Sequence, residues 1–136
     1  MWYDRAVVYQ IYPLGLCGAP LVNSGDAAQA EQHRLLRVLD WVEHIRELGA
    51  TCVLFNPLFE SDAHGYDTRD YTKVDCRLGA NGDLKTVVDA LHKAGVNRLS
   101  VGVQSADEGE LRRLGRRHSF AQAVDNFVEK IRTTLG

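Results

Sequence analysis

The chain has 136 residues, of which 45% are hydrophobic and 25% are charged, and its formal net charge is −2. This composition is typical of a globular domain that can bury an apolar core without disulfide or metal staples. A complete (β/α)8 barrel is excluded, because it takes about 250 residues. We therefore expect a single domain over residues 1–136.

Charge and hydropathy also exclude two classes of partner. Clustered Lys and Arg drive binding to nucleic acid, and we interpret the one dense basic run as a solvated helix end; it comprises Arg112, Arg113, Arg116 and Arg117. In the first dozen residues, polar groups interrupt the apolar stretch before a signal peptide or a membrane span could form. The sequence thus predicts a cytoplasmic protein with no nucleic-acid partner and no membrane partner.

The cysteines argue against a metal or a cofactor. The chain has three cysteines, an odd number, and they lie 35 and 24 residues apart at Cys17, Cys52 and Cys76. Such spacing favours reduced thiols over a disulfide framework, a zinc site or an iron–sulfur cluster. We expect no metal site and no cofactor.

Strand and helix patterns alternate in the first half of the chain. An apolar run at 6–12 predicts a first strand, and residues 14–27 have the glycine-rich composition of a loop. Apolar residues at intervals of three and four predict a helix over 28–48, capped in a left-handed conformation by Gly49. The apolar run at 51–55 predicts a second, buried strand.

The second half continues the alternation after a long polar loop over 56–79. Asn81 is the predicted cap of a helix that ends at Gly95, and residues 97–104 alternate as a third strand. Capping-box patterns predict two further helices, ending at 115 and 135. The element order βαβαβαα predicts an α/β fold, either a partial (β/α) barrel or an open parallel sheet with right-handed crossovers.

Three motifs occur in order over the first 95 residues: YQIYPLGLCGAP at 9–20, GATCVLFNPLFES at 49–61 and HGYDTRDYTKVDCRLG at 64–79. Together they resemble the first two βα units of the α-amylase superfamily, glycoside hydrolase family 13. The resemblance implies that His64 and Tyr66 line the sugar subsite beside the scissile bond, with the tyrosine ring stacked on glucose. Independently, an aromatic face offers apolar area to the C–H face of a sugar, while His and Asp at its rim bond hydroxyls.

A different resemblance begins after Gly95. The string VNRLSVGVQSADEGELRRLGRRHS at 96–119 resembles the oxygen-independent coproporphyrinogen III oxidase-like group of radical S-adenosylmethionine enzymes. It implies that Gln104 and Arg116 contact S-adenosylmethionine, although helix capping explains Gln104 equally well. We therefore expect a chimera of an amylase-like segment, 1–95, and a radical-enzyme-like segment, 96–136.

Neither resemblance brings a complete catalytic apparatus. Glycoside hydrolysis needs two carboxylates, which that family draws from strands four, five and seven. In a loop, carboxylates such as Asp67, Asp70 and Asp75 more often form turns and ion pairs than act in catalysis. His64 with Asp67 and Asp70 could hold a divalent cation, but we expect a hydrogen bond that braces the loop instead. Radical chemistry needs closely spaced cysteines, which the sequence lacks. We predict no catalytic residues, and we take as substrate-binding candidates His64, Tyr66, Asp67 and Asp70.

Three functions stay open. The first is a catalytically silent domain recombined from barrel fragments, and the second is a degenerate fragment of a carbohydrate-binding protein or α-glucan hydrolase. The third is a remnant of a radical enzyme. Three parallel strands cannot close on themselves, so we also expect a homo-oligomer, formed edge to edge or by exchange of the last predicted helix, 120–135.

Overall fold

A computed structural model describes residues 1–101 of the chain. Its strands are β1 (Val8–Ile11), β2 (Cys52–Phe55), β3 (Phe59–Ser61), β4 (Thr68–Val74) and β5 (Arg98–Val101). Its α-helices are α1 (Pro13–Leu16), α2 (Val42–Glu47) and α3 (Asn81–Lys93), and 3₁₀ segments lie at Trp2–Asp4, Ala27–Gln32 and Arg34–Trp41. The last two predicted helices, together with Gln104 and Arg116, lie outside the described residues.

A parallel sheet organises the fold. Its strand order is β1-β2-β5, with the register Val8↔Cys52↔Arg98 at one end and Ile11↔Phe55↔Val101 at the other. The α/β class and the parallel sheet are therefore confirmed. The full order βαβαβαα is not, because β3 and β4 form a separate pair between β2 and α3.

The core lies on one face of this sheet. Alternate strand residues Ile11, Val53 and Phe55 are buried there, because successive side chains of a strand point to opposite faces. They belong to one cluster with apolar residues of the 3₁₀ segment Arg34–Trp41 and of α2 and α3, namely Leu35, Val38, Ile45, Val87 and Leu91. On the opposite face Gln10 and Ser100 are exposed.

The single helix predicted over 28–48 is wrong. The segment comprises two 3₁₀ stretches and then α2, and it is interrupted at His33, which has a left-handed backbone with φ 46°. Tertiary contacts explain the break: Leu35 N–H donates to Leu78 O at 2.7 Å, and the His33 ring bonds Asp83 at 2.9 Å. The predicted left-handed residue after the helix is confirmed, since Gly49 has φ 72°.

Two smaller predictions are also corrected. Residues 14–27 are not wholly a loop, because α1 begins at Pro13, whose missing N–H costs nothing in the first helical turn. Asn81 does not cap α3; its side chain accepts from Val74 N at 2.9 Å and so ties the helix to β4. Ala80 is the N-cap residue instead, and its N–H donates to the carboxylate of Asp83, the third residue of the helix, at 2.9 Å.

The polar segment 56–79 is not only a loop, since it contains the antiparallel pair of β3 and β4. Glu60 pairs with Asp70 and Ser61 with Thr68, with two register shifts along the pair. These irregular steps obscure the alternation by which a strand is recognised in sequence. Among the described residues, no helix is long and apolar enough to cross a membrane.

Candidate functional site

A chain of hydrogen bonds crosses the carboxyl edge of the parallel sheet. Gln10 Nε2 on β1 donates to Asn56 Oδ1 at 2.7 Å, and Asn56 directly follows β2. Asn56 Nδ2 in turn donates to the Tyr66 hydroxyl at 3.0 Å. Ligands of open parallel sheets bind outside this edge, so these three side chains stand where a site is expected.

His64 and Tyr66 lie together in one turn above that edge. The Tyr12 hydroxyl donates to His64 O at 2.9 Å, and Tyr66 N–H donates to His64 Nδ1 at 3.2 Å. The two rings are 6.1 Å apart with an angle of 38° between their planes. Tyr66 is 41% exposed, so part of its surface is open to a ligand.

Gly65 and Asp67 set the shape of this turn. Gly65 has φ 95°, and a Cβ at that position would lie 2.9 Å from Pro57 O, so a side chain there would be both strained and crowded. Asp67 Oδ1 accepts from Gly65 N–H at 3.2 Å. The Thr68 hydroxyl donates to Gly65 O at 2.9 Å and completes the turn. The Asp67 carboxylate therefore braces the loop.

Asp70, the fourth candidate, belongs to a different element. It lies on β4 opposite Glu60, and its Oδ1 accepts from Thr72 N–H at 2.8 Å. The structure thus brings together His64, Tyr66 and Asp67 in one turn but does not place Asp70 in that turn.

A cleft of about 270 Å³ opens beside His64. Its walls are mainly apolar, and they include Tyr12, Leu14, Pro20, Leu21 and Ala63. Leu21 is 87% exposed, so this apolar surface continues to the outside of the molecule. The cleft offers an apolar wall next to the polar groups of the turn.

A buried ion pair lies beneath the cleft. Arg77 Nε and Nη2 each donate to Asp75 at 2.9 Å, and both side chains are at most 1% exposed. Arg77 also donates to Pro20 O at 2.7 Å and to Ser61 Oγ at 3.1 Å. Burial acts to lower the pKa of Arg77, but the hydrogen bonds and the charge of Asp75 raise it above its ordinary value. The pair therefore ties loop 17–26 to β3 and to the segment before α3.

Glu60 is the centre of a second buried cluster. Its carboxylate bonds Lys73 Nζ at 2.9 Å and accepts from Asn23 Nδ2. Burial alone would raise the pKa of Glu60, but the hydrogen bonds from Lys73 and Asn23 hold it below its ordinary value.

One group of possible metal ligands stands out among residues 1–101. The ligand atoms of Glu60, Asp75 and Cys76 lie within 4.8 Å of one another. Lys73 and Arg77 already neutralise the two carboxylates. Burial raises the pKa of the Cys76 thiol, which favours the protonated form, and a thiol binds metal weakly compared with a thiolate. The contacts of Glu60, Asp75 and Cys76 are therefore those of a buried network of ion pairs and hydrogen bonds.

Sequence reasoning missed three residues of this site. Gln10 and Tyr12 were assigned only to the first strand, and Asn56 only to the polar loop over 56–79. A signal for two of them existed: Gln10 is a polar residue inside an apolar strand, and Asn56 stands between an apolar strand and Pro57. In a parallel sheet, such positions bring polar groups to the ligand-binding edge.

Known proteins resemble this chain in sequence. The oligo-1,6-glucosidase of Heyndrickxia coagulans is 34% identical over 97 residues, which cover 70% of this chain and 16% of that protein. The chain therefore spans about a sixth of that relative's length.

Solved structures resemble it in fold. The trehalose-6-phosphate hydrolase of Bacillus licheniformis is 25% identical with a TM-score of 0.55, over 75% of this chain and 17% of that one. The cyclic α-maltosyl-(1→6)-maltose hydrolase of Arthrobacter globiformis, solved in complex with maltose, is 27% identical with a TM-score of 0.52; the match covers 72% of this chain and 25% of that one.

The family match extends beyond the junction expected at Gly95. The model of the α-amylase catalytic domain matches residues 26–101, which include all of β5. None of these matches supports the radical S-adenosylmethionine resemblance. Because the family model covers more than half of the 136 residues, this chain belongs to the α-amylase family.

Proposed function

We propose that this chain binds α-linked glucose oligosaccharides at the turn that carries His64 and Tyr66, and that it does not hydrolyse them. The observation that carries the proposal is the partly exposed Tyr66 ring, held by Asn56 at the carboxyl edge of the parallel sheet. The proposal joins the first two functions that the sequence left open.

The chemistry of the turn suits a sugar. The faces of a pyranose ring carry C–H groups that pack on an aromatic ring, and its hydroxyls need hydrogen-bonding partners at the rim. Tyr66 supplies the ring, and His64, whose side chain is 64% exposed, supplies a polar group beside it. The complex of the Arthrobacter hydrolase with maltose favours maltose and longer maltodextrins as the ligands to test.

The carboxylates of this region support binding without hydrolysis. Glycosidases place an acid and a second carboxylate on either side of the scissile bond, roughly 5–10 Å apart. Asp67 accepts a hydrogen bond from the backbone of its own turn, and Asp70 bonds Thr72 on β4. Each has a structural partner, and the two belong to different elements.

We expect purified protein to release no reducing sugar from starch or maltodextrins and to leave S-adenosylmethionine uncleaved. Reducing-sugar assays and chromatography of S-adenosylmethionine after long incubation with concentrated protein measure this. Asp67→Asn and Asp70→Asn serve as matched variants. Sugar release by the wild type that disappears in either variant would show that these carboxylates are catalytic.

Isothermal titration with maltotriose tests the binding half of the proposal. Saturable binding that Tyr66→Ala weakens is the expected result. Absence of heat and of fluorescence change up to tens of millimolar maltotriose would contradict it.

We also propose that the chain self-associates through β1. In the described residues β1 pairs only with β2, and no residue from Val8 to Ile11 carries a charge to discourage edge pairing. Val7, which precedes β1, and Val8, its first residue, are 46% and 52% exposed. Sedimentation equilibrium should show dimers above the 15.2 kDa monomer, and a Val8→Lys variant should shift them to monomer. A single 15.2 kDa species from micromolar to millimolar concentration would refute the proposal.

A further inference from the structure

We infer that Asn56 is a positioning residue, which orients the Tyr66 ring and its hydroxyl for the ligand. The inference rests on the proposed function, since it takes Tyr66 as the surface on which a sugar packs. Asn56 itself need not touch the sugar. It acts through the hydroxyl of Tyr66, to which its Nδ2 donates at 3.0 Å.

The two ends of the Tyr66 side chain are held independently. At the backbone end, Tyr66 N–H donates to His64 Nδ1, and the preceding Gly65 packs against Pro57 O too closely to admit a Cβ. At the far end, the hydroxyl receives the hydrogen bond from Asn56. A ring that is fixed only at its Cβ can rotate about two side-chain torsions. Because the phenol oxygen lies on the axis of the second torsion, fixing the hydroxyl as well fixes the first torsion and so the direction in which the ring points.

Asn56 can hold the hydroxyl because it is held itself. Its backbone N–H donates to Ile11 O at 2.8 Å, which continues the pairing of β1 with β2. Its side-chain Oδ1 accepts from Gln10 Nε2 at 2.7 Å. Pro57 follows it and restricts its backbone to extended conformations. The orientation of an exposed ring is thereby linked to the register of the parallel sheet.

The direction of these hydrogen bonds has a chemical consequence. Because Gln10 donates to Asn56 Oδ1, the NH2 group of Asn56 faces Tyr66, and the phenol oxygen accepts its hydrogen bond. The proton of the phenol is then available to a sugar oxygen. An Asn56→Asp variant keeps the shape of the side chain but replaces the donor with an acceptor, so the Tyr66 hydroxyl would donate its hydrogen bond to the carboxylate and not to the sugar. Asn56→Ala removes the hydrogen bond that positions the ring, whereas Asn56→Asp reverses its direction, so the two effects can be measured separately.

The first experiment needs no ligand. Incorporation of 3-fluorotyrosine gives five ¹⁹F resonances, one for each tyrosine, and Tyr66→Phe assigns the one of interest. Asn56→Ala should move this resonance towards the position of an unstructured fluorotyrosine. Asn97→Ala, the same substitution just before β5 at the opposite edge of the sheet, should leave it in place. An unmoved Tyr66 resonance in folded Asn56→Ala protein would overturn the inference.

The second experiment measures coupling in binding. Asn56→Ala should weaken maltotriose binding about three- to tenfold, the range for one hydrogen bond. Asn56→Asp should weaken it similarly although the ring stays ordered. In a Tyr66→Ala background, Asn56→Ala should have no further effect, because the residue acts only through Tyr66. Equal weakening in both backgrounds would show that Asn56 acts elsewhere.

The two experiments distinguish a failure of the proposed sugar binding from a failure of the positioning role of Asn56. If wild-type protein does not bind maltotriose but Asn56→Ala moves the Tyr66 resonance, the proposed function fails and the positioning role stands. If Asn56→Ala does not fold, as judged by circular dichroism, Gln10→Met replaces it, because it removes the donor that fixes Asn56. Gln10→Met should shift the same resonance in the same direction, and an unchanged spectrum would refute the positioning role.

Discussion

Replacing Arg77 with alanine should destabilise the fold by about 3–5 kcal/mol, the usual cost of removing one partner of a buried ion pair. Asp75 is fully buried, and Arg77 provides the positive charge that contacts its carboxylate. The substitution would also leave Pro20 O and Ser61 Oγ without the hydrogen bonds that Arg77 donates. Urea unfolding followed by tryptophan fluorescence measures the change in the free energy of unfolding.

Two controls identify the charge as the cause. Arg46→Ala makes the same substitution in the exposed ion pair with Glu43, and it should change stability little because water screens that pair. A double variant, Arg77→Met with Asp75→Leu, removes both buried charges and should recover part of the loss; recovery is incomplete because the backbone N–H groups of Ser61 and Arg77 lose the Asp75 carboxylate as acceptor. If the double variant is less stable than Arg77→Ala, lost hydrogen bonds and packing outweigh the unpaired charge and the electrostatic explanation is wrong.

The sequence predicted the parallel sheet well because its signals are local. The strands at 8–11 and 52–55 are short apolar runs bounded by turn residues, and Gly49 ends α2 as expected. The single helix over 28–48 could not be corrected from sequence alone. Its break at His33 depends on contacts with Leu78 and Asp83, residues more than 40 positions away. Apolar spacing specifies which face is buried, whereas these distant contacts decide the backbone geometry.

The same distinction applies to the site. His64, Tyr66 and Asp67 were predicted together because they are neighbours in one short turn. Asp70 was grouped with them by sequence distance, but the antiparallel pairing of β3 with β4 places it opposite Glu60. Gln10 and Asn56 are 46 residues apart and meet only because β1 and β2 pair in a particular register. Residues that are joined by sheet register need a structure to be recognised.

Tyr66→Ala should weaken maltotriose binding by about 1–3 kcal/mol, the scale expected for losing an aromatic face that packs on a sugar. The fold should be unaffected, because Tyr66 is 41% exposed and is not part of the buried core. Titration calorimetry measures the affinity, and the unfolding midpoint in urea confirms that stability is unchanged.

Tyr3→Ala is the matched control, since it removes another exposed tyrosine from the 3₁₀ segment before β1, and it should leave the affinity unchanged. Tyr66→Phe divides the effect further: it retains the ring and removes the hydroxyl through which Asn56 acts. If stacking dominates, Tyr66→Phe should retain most of the affinity and lose only the portion that Asn56→Ala also loses. Maltotriose binding that is indifferent to Tyr66→Ala would place the sugar elsewhere on the molecule, because no ligand that packs on this ring can lose it without cost.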